Sequence, residues 1–289
     1  MNILSLQRQL TCPRGQSLSR RFAPNWTPAA LGSALALWLD AEDTSTITLN
    51  GSDVSQWNDK SGNGNHVSNN TAATQPPYLA TGWNGKPTVY FTRLGTEFLF
   101  KTGVSNFAAN GDFTIASAFE FLETDNNWEM IAGWRNTPNS SGGGNGAPIL
   151  QGMLNVQQIG YHDTDLADTR IKVDVTTRLG KKIATISRSG GTNGNGGAAT
   201  ATSTGFSQAT YDTNTTQNFS SAAATGFQVG GRQQSLTGWG DKYISEVVGC
   251  NTKLSTEDRQ KLEGYLAWKW GLEANLPSDH PFRNTPPTV

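Results

Sequence analysis

The chain has 289 residues, a net charge of −1, 16% charged residues, 32 Gly and 9 Trp. That length allows one large domain or two small ones with a core that needs no staples, and the near-neutral charge excludes nucleic acid and anionic membrane as main partners. The Gly-rich, charge-poor composition argues against a mainly helical protein and for a loop-rich all-β one, and two Cys, Cys12 and Cys250, are too few for a disulfide framework and fit thiols kept reduced.

Residues 1–30 read as an extended N-terminal arm ahead of one domain spanning 31–289. Arg8, Arg14, Arg20 and Arg21 are the only charged residues before Asp40, so a net charge of −1 leaves −5 on the remainder. Ile3, Leu4, Leu6 and Leu10 are interrupted by Gln and Arg, so no secretory apolar core is expected, and no run of 18 apolar residues suggests a membrane span. The arm is expected to lie along a partner's surface or sheet edge and to be ordered only by that neighbour.

Next come the strands. Leu35, Leu37 and Leu39 alternate with Ala36, Trp38 and Asp40, the pattern of a buried strand. Ile47, Leu49, Val54 and Trp57 predict a hairpin around Asn50-Gly51. Thr88–Phe91 reads as a strand, and Phe113–Leu122 as the longest one, with Phe113, Ile115, Ser117, Phe119 and Phe121 on one face. Met130–Trp134 is expected to pair beside it. Further strands are expected near 149–160, 170–175, 181–188, 226–231 and 243–250. The runs 140–146 and 189–204 read as low-complexity loop, and 207–225 as a surface excursion. One helix is predicted over 255–271. Ser255 is its N-cap, Glu257 and Asp258 its acidic first turn, and Gly271 its stop. Leu262, Tyr265, Leu266 and Lys269 form its stripe, with Lys269 the weak member. The rhythm of strand and turn predicts a two-sheet antiparallel sandwich.

Two segments carry a resemblance. Trp57-Asn-Asp-Lys-Ser-Gly-Asn-Gly-Asn-His66, after Leu37-Trp-Leu-Asp40, resembles the Gly-Asn-Gly loop of laminin-G-like domains in the concanavalin A-like lectin/glucanase superfamily. Gly240–Val247 followed by Leu254-Ser-Thr-Glu257 and the helix to Trp270 resembles the closing strand of that superfamily, and Leu262–Gly271 with the Leu276–Phe282 tail resembles a variant common in phage and marine-bacterial proteins. The resemblance implies a jelly-roll sandwich with one C-terminal helix. It further implies a virion structural protein, assembled in the host cytoplasm as a capsid decoration or a tail or fibre component. In that role the arm, with Arg8, Arg14, Arg20 and Arg21, docks on other virion proteins, and the sandwich meets host glycans in a homo-oligomer or lattice array. Alternatives are a carbohydrate-binding module of a bacterial surface protein and a glycoside hydrolase or lyase. The paired-carboxylate strand patterns of the glucanase branch, Glu-x-Asp-x-Glu and Glu-x-Asp-x-x-Glu, do not occur here, so the expectation is that the chain is not an enzyme.

A sugar-binding surface needs aromatic rings beside amide and hydroxyl groups, and Trp83, Trp128, Trp134 and Trp239 flank Gly/Asn-rich segments. Trp38, Trp57, Trp268 and Trp270 are expected in the core. Calcium takes oxygen ligands from Asp, Asn and turn carbonyls, and Asp40, Asp43, Asp59, Asn63 and Glu246 are the suitable group. The other reading of Asp59 and Asn63 is that they bond their own loop backbone. No His or Cys spacing suggests zinc.

Overall fold

A computed structural model describes residues 26–92, 96–109, 111–122, 129–135, 149–152, 158–162, 170–174, 179–189, 198–203, 209–211, 226–231 and 241–289. Residues 1–25, and with them the four arm arginines, lie outside the described residues, as do Trp128 and Trp239.

The strands of the described residues are β1 (Leu35–Asp40), β2 (Ile47–Asn50), β3 (Asp53–Trp57), β4 (Val67–Ser68), β5 (Tyr78–Trp83), β6 (Lys86–Phe91), β7 (Phe98–Thr102), β8 (Phe113–Phe121) and β9 (Glu129–Arg135). They continue as β10 (Ile149–Gly152), β11 (Gln158–His162), β12 (Arg170–Asp174), β13 (Gly180–Ser189), β14 (Ala198–Ser203), β15 (Ala209–Tyr211), β16 (Gly226–Gly230) and β17 (Lys242–Cys250). The helix α1 spans Thr256–Trp270.

They form two antiparallel sheets, one of eight strands in the order β15-β14-β13-β8-β17-β6-β5 with β1 also on β17, and one of nine in the order β12-β11-β10-β9-β16-β7-β4-β3-β2. The chain is therefore an all-β sandwich with a C-terminal helix. Strand periodicity explains why. Phe113, Ile115, Phe119 and Phe121 of β8 face Trp134, Phe227, Val229, Leu99, Val67 and Trp57 of the other sheet, and the alternate side chains point away. Trp134 is the hub, with its ring 4.3 Å from Phe107, 5.2 Å from Phe113 and 5.5 Å from Phe227.

Three expectations about organisation change. Met130–Trp134 does not pair beside β8. It sits in β9 of the opposite sheet, between β10 and β16, while β8 pairs with β13 and β17. The reason is that alternate residues of both strands are apolar, and two such faces can be buried by stacking as well as by pairing. The 189–204 stretch contains a strand, β14, and the 207–225 zone begins with β15.

A second apolar cluster lies on the outer face of the eight-stranded sheet. Trp38, Trp83, Ala116, Ala118, Ile183 and Val248 are covered there by Leu262, Tyr265, Leu266 and Trp270 of α1. Ser255 caps the helix by accepting from the Asp258 amide at 3.1 Å, and Gly271 ends it at a left-handed φ of 73°. The helix thus closes one sheet face and leaves the outer face of the other sheet without a helix of its own among the described residues.

Candidate functional site

The Gly-Asn-Gly loop is an edge cap. β1 pairs with β17 on one side only, and its other edge exposes unpaired peptide groups. The loop at 59–65 supplies their partners. Asp59 Oδ1 accepts from the Trp38 amide at 2.9 Å and Lys60 N donates to the Trp38 carbonyl at 2.8 Å. Asn63 Nδ2 donates to the Leu35 carbonyl at 2.9 Å, and Asn65 Nδ2 to the Ala36 carbonyl at 2.9 Å. Asp59 also accepts from the Ser61 amide, the Ser61 hydroxyl and the Asn65 amide at 2.7–2.9 Å. Gly62 and Gly64 sit at φ 89° and 71°, which lets the loop fold back on the strand it covers.

Asp40 and Glu246 do different work. Glu246 is fully buried on β17 and accepts from Trp38 Nε1 at 2.7 Å, Trp270 Nε1 at 2.8 Å and the Tyr265 hydroxyl at 3.0 Å. Lys269 Nζ bridges it to Asp40, 2.8 Å from Glu246 and 2.6 Å from Asp40. Lys60 Nζ reaches Asp40 at 2.9 Å and Asp43 at 2.8 Å, and lies 4.3 Å from the Trp38 ring centre. Burial pushes the Glu246 carboxyl up, against the pull of Lys269. Burial also opposes charge on Asp40, yet Lys269 and Lys60 hold its carboxyl below the ordinary range. On Lys269 burial is again the largest influence, and Glu246 and Asp40 outweigh it, raising the ammonium above its usual 10.5.

The proposed calcium ligands therefore do not converge on one ion position. Asp59 and Asn63 are spent on backbone, and Asp40, Asp43 and Glu246 on lysines and indoles. Among the described residues no group of three or more His, Cys, Asp or Glu is placed to hold a metal. The aromatic expectation also changes. Trp83 and Trp134 are fully buried, Trp83 under the helix against Trp270 at 5.5 Å and Trp134 in the main core, so neither forms an open platform. Of the expected core indoles, Trp38, Trp57 and Trp270 are buried and Trp268 is half-buried, donating to the Phe282 carbonyl at 2.7 Å.

Two rows of outward side chains were not singled out by the sequence reading. Register places Thr48, Gln56, Ser68 and Phe100 side by side across β2, β3, β4 and β7 on the outer face of the nine-stranded sheet, because their neighbours Trp57, Val67 and Leu99 face the core. Thr48 is exposed, the other three are half-buried, and Phe98 lies two residues along on the same face. On the eight-stranded sheet the row is Tyr90, Tyr243, Glu120 and Lys181, across β6, β17, β8 and β13. The alternation Phe98-Leu-Phe100 in β7 was the available signal for the first row. Cross-strand register, absent from a single sequence, makes the second.

Replacing Asp59 with Ala strands three loop and strand amides, so a loss of about 3 kcal/mol or more is expected in urea unfolding; a loss under about 1 kcal/mol would show that the loop is not the edge cap. Lys269→Met leaves the fully buried Glu246 without its cation and Asp40 with Lys60 alone, with a loss of about 3–5 kcal/mol at neutral pH. Without Lys269 the Glu246 carboxyl sits further above its unfolded value, so folding takes up a proton and stability falls as pH rises. The variant is therefore expected to be closer to wild type at about pH 5 than at about pH 8. In the wild type the raised Lys269 contribution is intact below 10.5 and is lost as pH climbs through its higher folded value. Thermal melts across that pH range check both signs.

No family model matches the chain, and no curated protein matches it. Solved structures do match. One is a GH54 α-L-arabinofuranosidase mutant soaked with a nitrophenyl arabinofuranoside, at 12% identity and TM-score 0.52, covering 81% of this chain and 59% of that one. A Trypanosoma rangeli sialidase in complex with sialic acid matches at 15% identity and TM-score 0.53, over 86% of this chain and 36% of that one. A structure of botulinum neurotoxin type C, whose cell entry depends on interaction with two ganglioside molecules, matches at 10% identity and TM-score 0.52, over 83% of this chain and 53% of that one. The chain thus spans between about a third and three-fifths of these relatives' lengths, and at such identities the likeness speaks to fold. The expectation that the chain is not an enzyme is withdrawn on this finding, because an arabinofuranosidase and a sialidase share the fold. The chain shares an all-β fold with these three solved structures.

Proposed function

We propose that the chain binds carbohydrate on the outer face of the nine-stranded sheet. The observation that carries this reading is the row Thr48, Gln56, Ser68 and Phe100, with Phe98 beside it. Sugars offer C–H faces to aromatic rings and hydroxyls to amide and hydroxyl partners, and this row alternates those two chemistries. It crosses four neighbouring strands, roughly 14 Å at about 4.8 Å per strand, which suits a short oligosaccharide. The Phe100 ring lies flat on the sheet because Gly226 is beneath it: a Cβ at Gly226 would sit 2.1 Å from the ring.

Phe100→Ala is expected to weaken binding on a glycan array about tenfold, the equivalent of ~1.4 kcal/mol, with little change in melting temperature. Unchanged binding across the array would remove this face from the reading. The same panel is read for released reducing ends, because the fold is shared with glycosidases.

The finer reading is a laminin-G-like domain of a bacteriophage virion protein. Its support is the resemblance carried by Trp57–His66 and by the closing strand and helix, together with the acid-free basic leader. Trp26 N donates to the Pro287 carbonyl at 3.3 Å, so the leader joins the body beside the C-terminal tail. Arg8, Arg14, Arg20 and Arg21 then attach the protein to capsid or tail. Deleting residues 1–25 is expected to release a folded protein that no longer co-purifies with particles; normal incorporation of the truncated chain would sink the virion-docking role.

A further inference from the structure

Among the described residues α1 covers the outer face of the eight-stranded sheet around Ala116, Ala118, Ile183 and Val248, and a further row lies just beyond its C-terminal end. There the side chains are Tyr90, Tyr243, Glu120 and Lys181, one from each of four adjacent strands. All four are half-buried. The two tyrosine rings meet edge to face at 5.3 Å and 63°, which orients each against the other. The helix end defines the border. Asn84 Nδ2 donates to the Trp270 carbonyl at 2.7 Å, and Asn84 Oδ1 accepts from Lys181 Nζ at 2.6 Å, with that ammonium 5.9 Å from the Trp83 ring centre.

Glu120 sets the chemistry. Its carboxylate takes no hydrogen bond or ion pair among the described residues. Most half-buried carboxylates are matched by a donor, and this one is left with acceptor capacity on both oxygens beside two aromatic rings. Its carboxyl is raised by burial, with Lys181 and Lys182 opposing. A sugar diol is the matching partner: two adjacent hydroxyls donate to one carboxylate while the sugar's C–H face lies on Tyr243. Burial raises the Tyr243 hydroxyl, and the Glu120 and Asp241 carboxylates add to it.

We propose that Tyr90, Tyr243, Glu120 and Lys181 form a second saccharide subsite, for a neutral sugar ring, on the sheet opposite the first. Its ligand class rests on the carbohydrate-binding reading, but its residues share nothing with the Phe100 row. One chain would then hold two glycans on opposite faces and cross-link glycan-bearing surfaces without oligomerising.

The test uses the full chain, isothermal titration with neutral gluco-, manno- and galacto-oligosaccharides, and aggregation of beads coated with them. Phe100→Ala is expected to keep one binding event of the two and to lose bead aggregation. In that background, Tyr243→Ala and the conservative Glu120→Gln are each expected to weaken the remaining event by about tenfold, about 1.4 kcal/mol, with Glu120→Gln melting like its parent. If Phe100→Ala removes all binding, or if Glu120→Gln and Tyr243→Ala leave the second event unchanged, the second subsite is overturned while the first stands. If Tyr243→Ala removes all binding and Phe100→Ala removes none, the second subsite is supported and the first falls. No binding of any oligosaccharide overturns both.

Discussion

The buried carboxylate of Glu246 is the constraint on which the rest of the molecule turns. A charge with no solvent contact is tolerated only when its oxygens are filled, because the loss of hydration costs several kcal/mol per ion. Glu246 meets that demand with Trp38 from β1 and with Tyr265, Lys269 and Trp270 from α1. The three helical residues stand at i, i+4 and i+5, so a single face of α1 converges on one point of β17. Apolar contact alone lets a helix slide along a sheet; four directional donors on one carboxylate fix its rotation and its position. The helix then covers Trp38, Trp83, Ala116, Ala118, Ile183 and Val248. What stays uncovered on that sheet follows from where the helix has to stop.

The second constraint is at an edge. β17 is shared along one side, first by β6 over 242–244 and then by β1 over 246–250, with a bulge between Ile244 and Glu246. Arrival of β1 at that position leaves its far side open. The loop after β3 closes it with side chains and a single backbone amide where a strand would use its whole backbone, and Asn65 ties the same loop to Ser105 through both its amide nitrogen and its oxygen. Its glycines and asparagines are thus accounted for by the geometry of that edge. An edge filled this way cannot accept a further strand.

Much of this was legible in the sequence, and what was not has a common cause. Alternation showed β1, β6, β8 and β17, and the Ser255 and Gly271 signals bounded α1, because those patterns are local. Lys269 looked like a flaw in the helical stripe because its partners, Asp40 and Glu246, are far away in the chain. The apolar face of the helix was right, and the charge on it was the part that mattered. Asp59 and Asn63 offered two readings, and the backbone one holds because β1 needed those bonds. Trp83 and Trp134 misled in the other direction. Their Gly- and Asn-rich neighbours suggested exposure, yet Trp134 faces the core between the sheets and Trp83 lies under α1, and ring burial outweighs loop proximity. Met130–Trp134 was assigned to the wrong sheet because pairing of consecutive strands is the default and this topology crosses between layers.

The candidate binding groups sit on sheet faces, where the strand ladder orders them. A ring on a loop has to be ordered when a ligand arrives, and that ordering is subtracted from affinity. A ring on a strand has its spacing set by the ladder and its tilt set by what lies under it, as Gly226 does for Phe100 and as Tyr90 does for Tyr243. Rows of this kind are built from small surplus: each strand already spends every second residue on the core, and the alternate residues are free to carry chemistry at no cost to the fold. Two sheets therefore give two faces on which such rows can form. The helix held by Glu246 narrows one face to a four-residue window, and the other keeps a row that runs from β2 to β7. A sandwich whose two outer faces differ in this way has a built-in polarity, and it arises from one buried carboxylate rather than from any feature of the surfaces themselves.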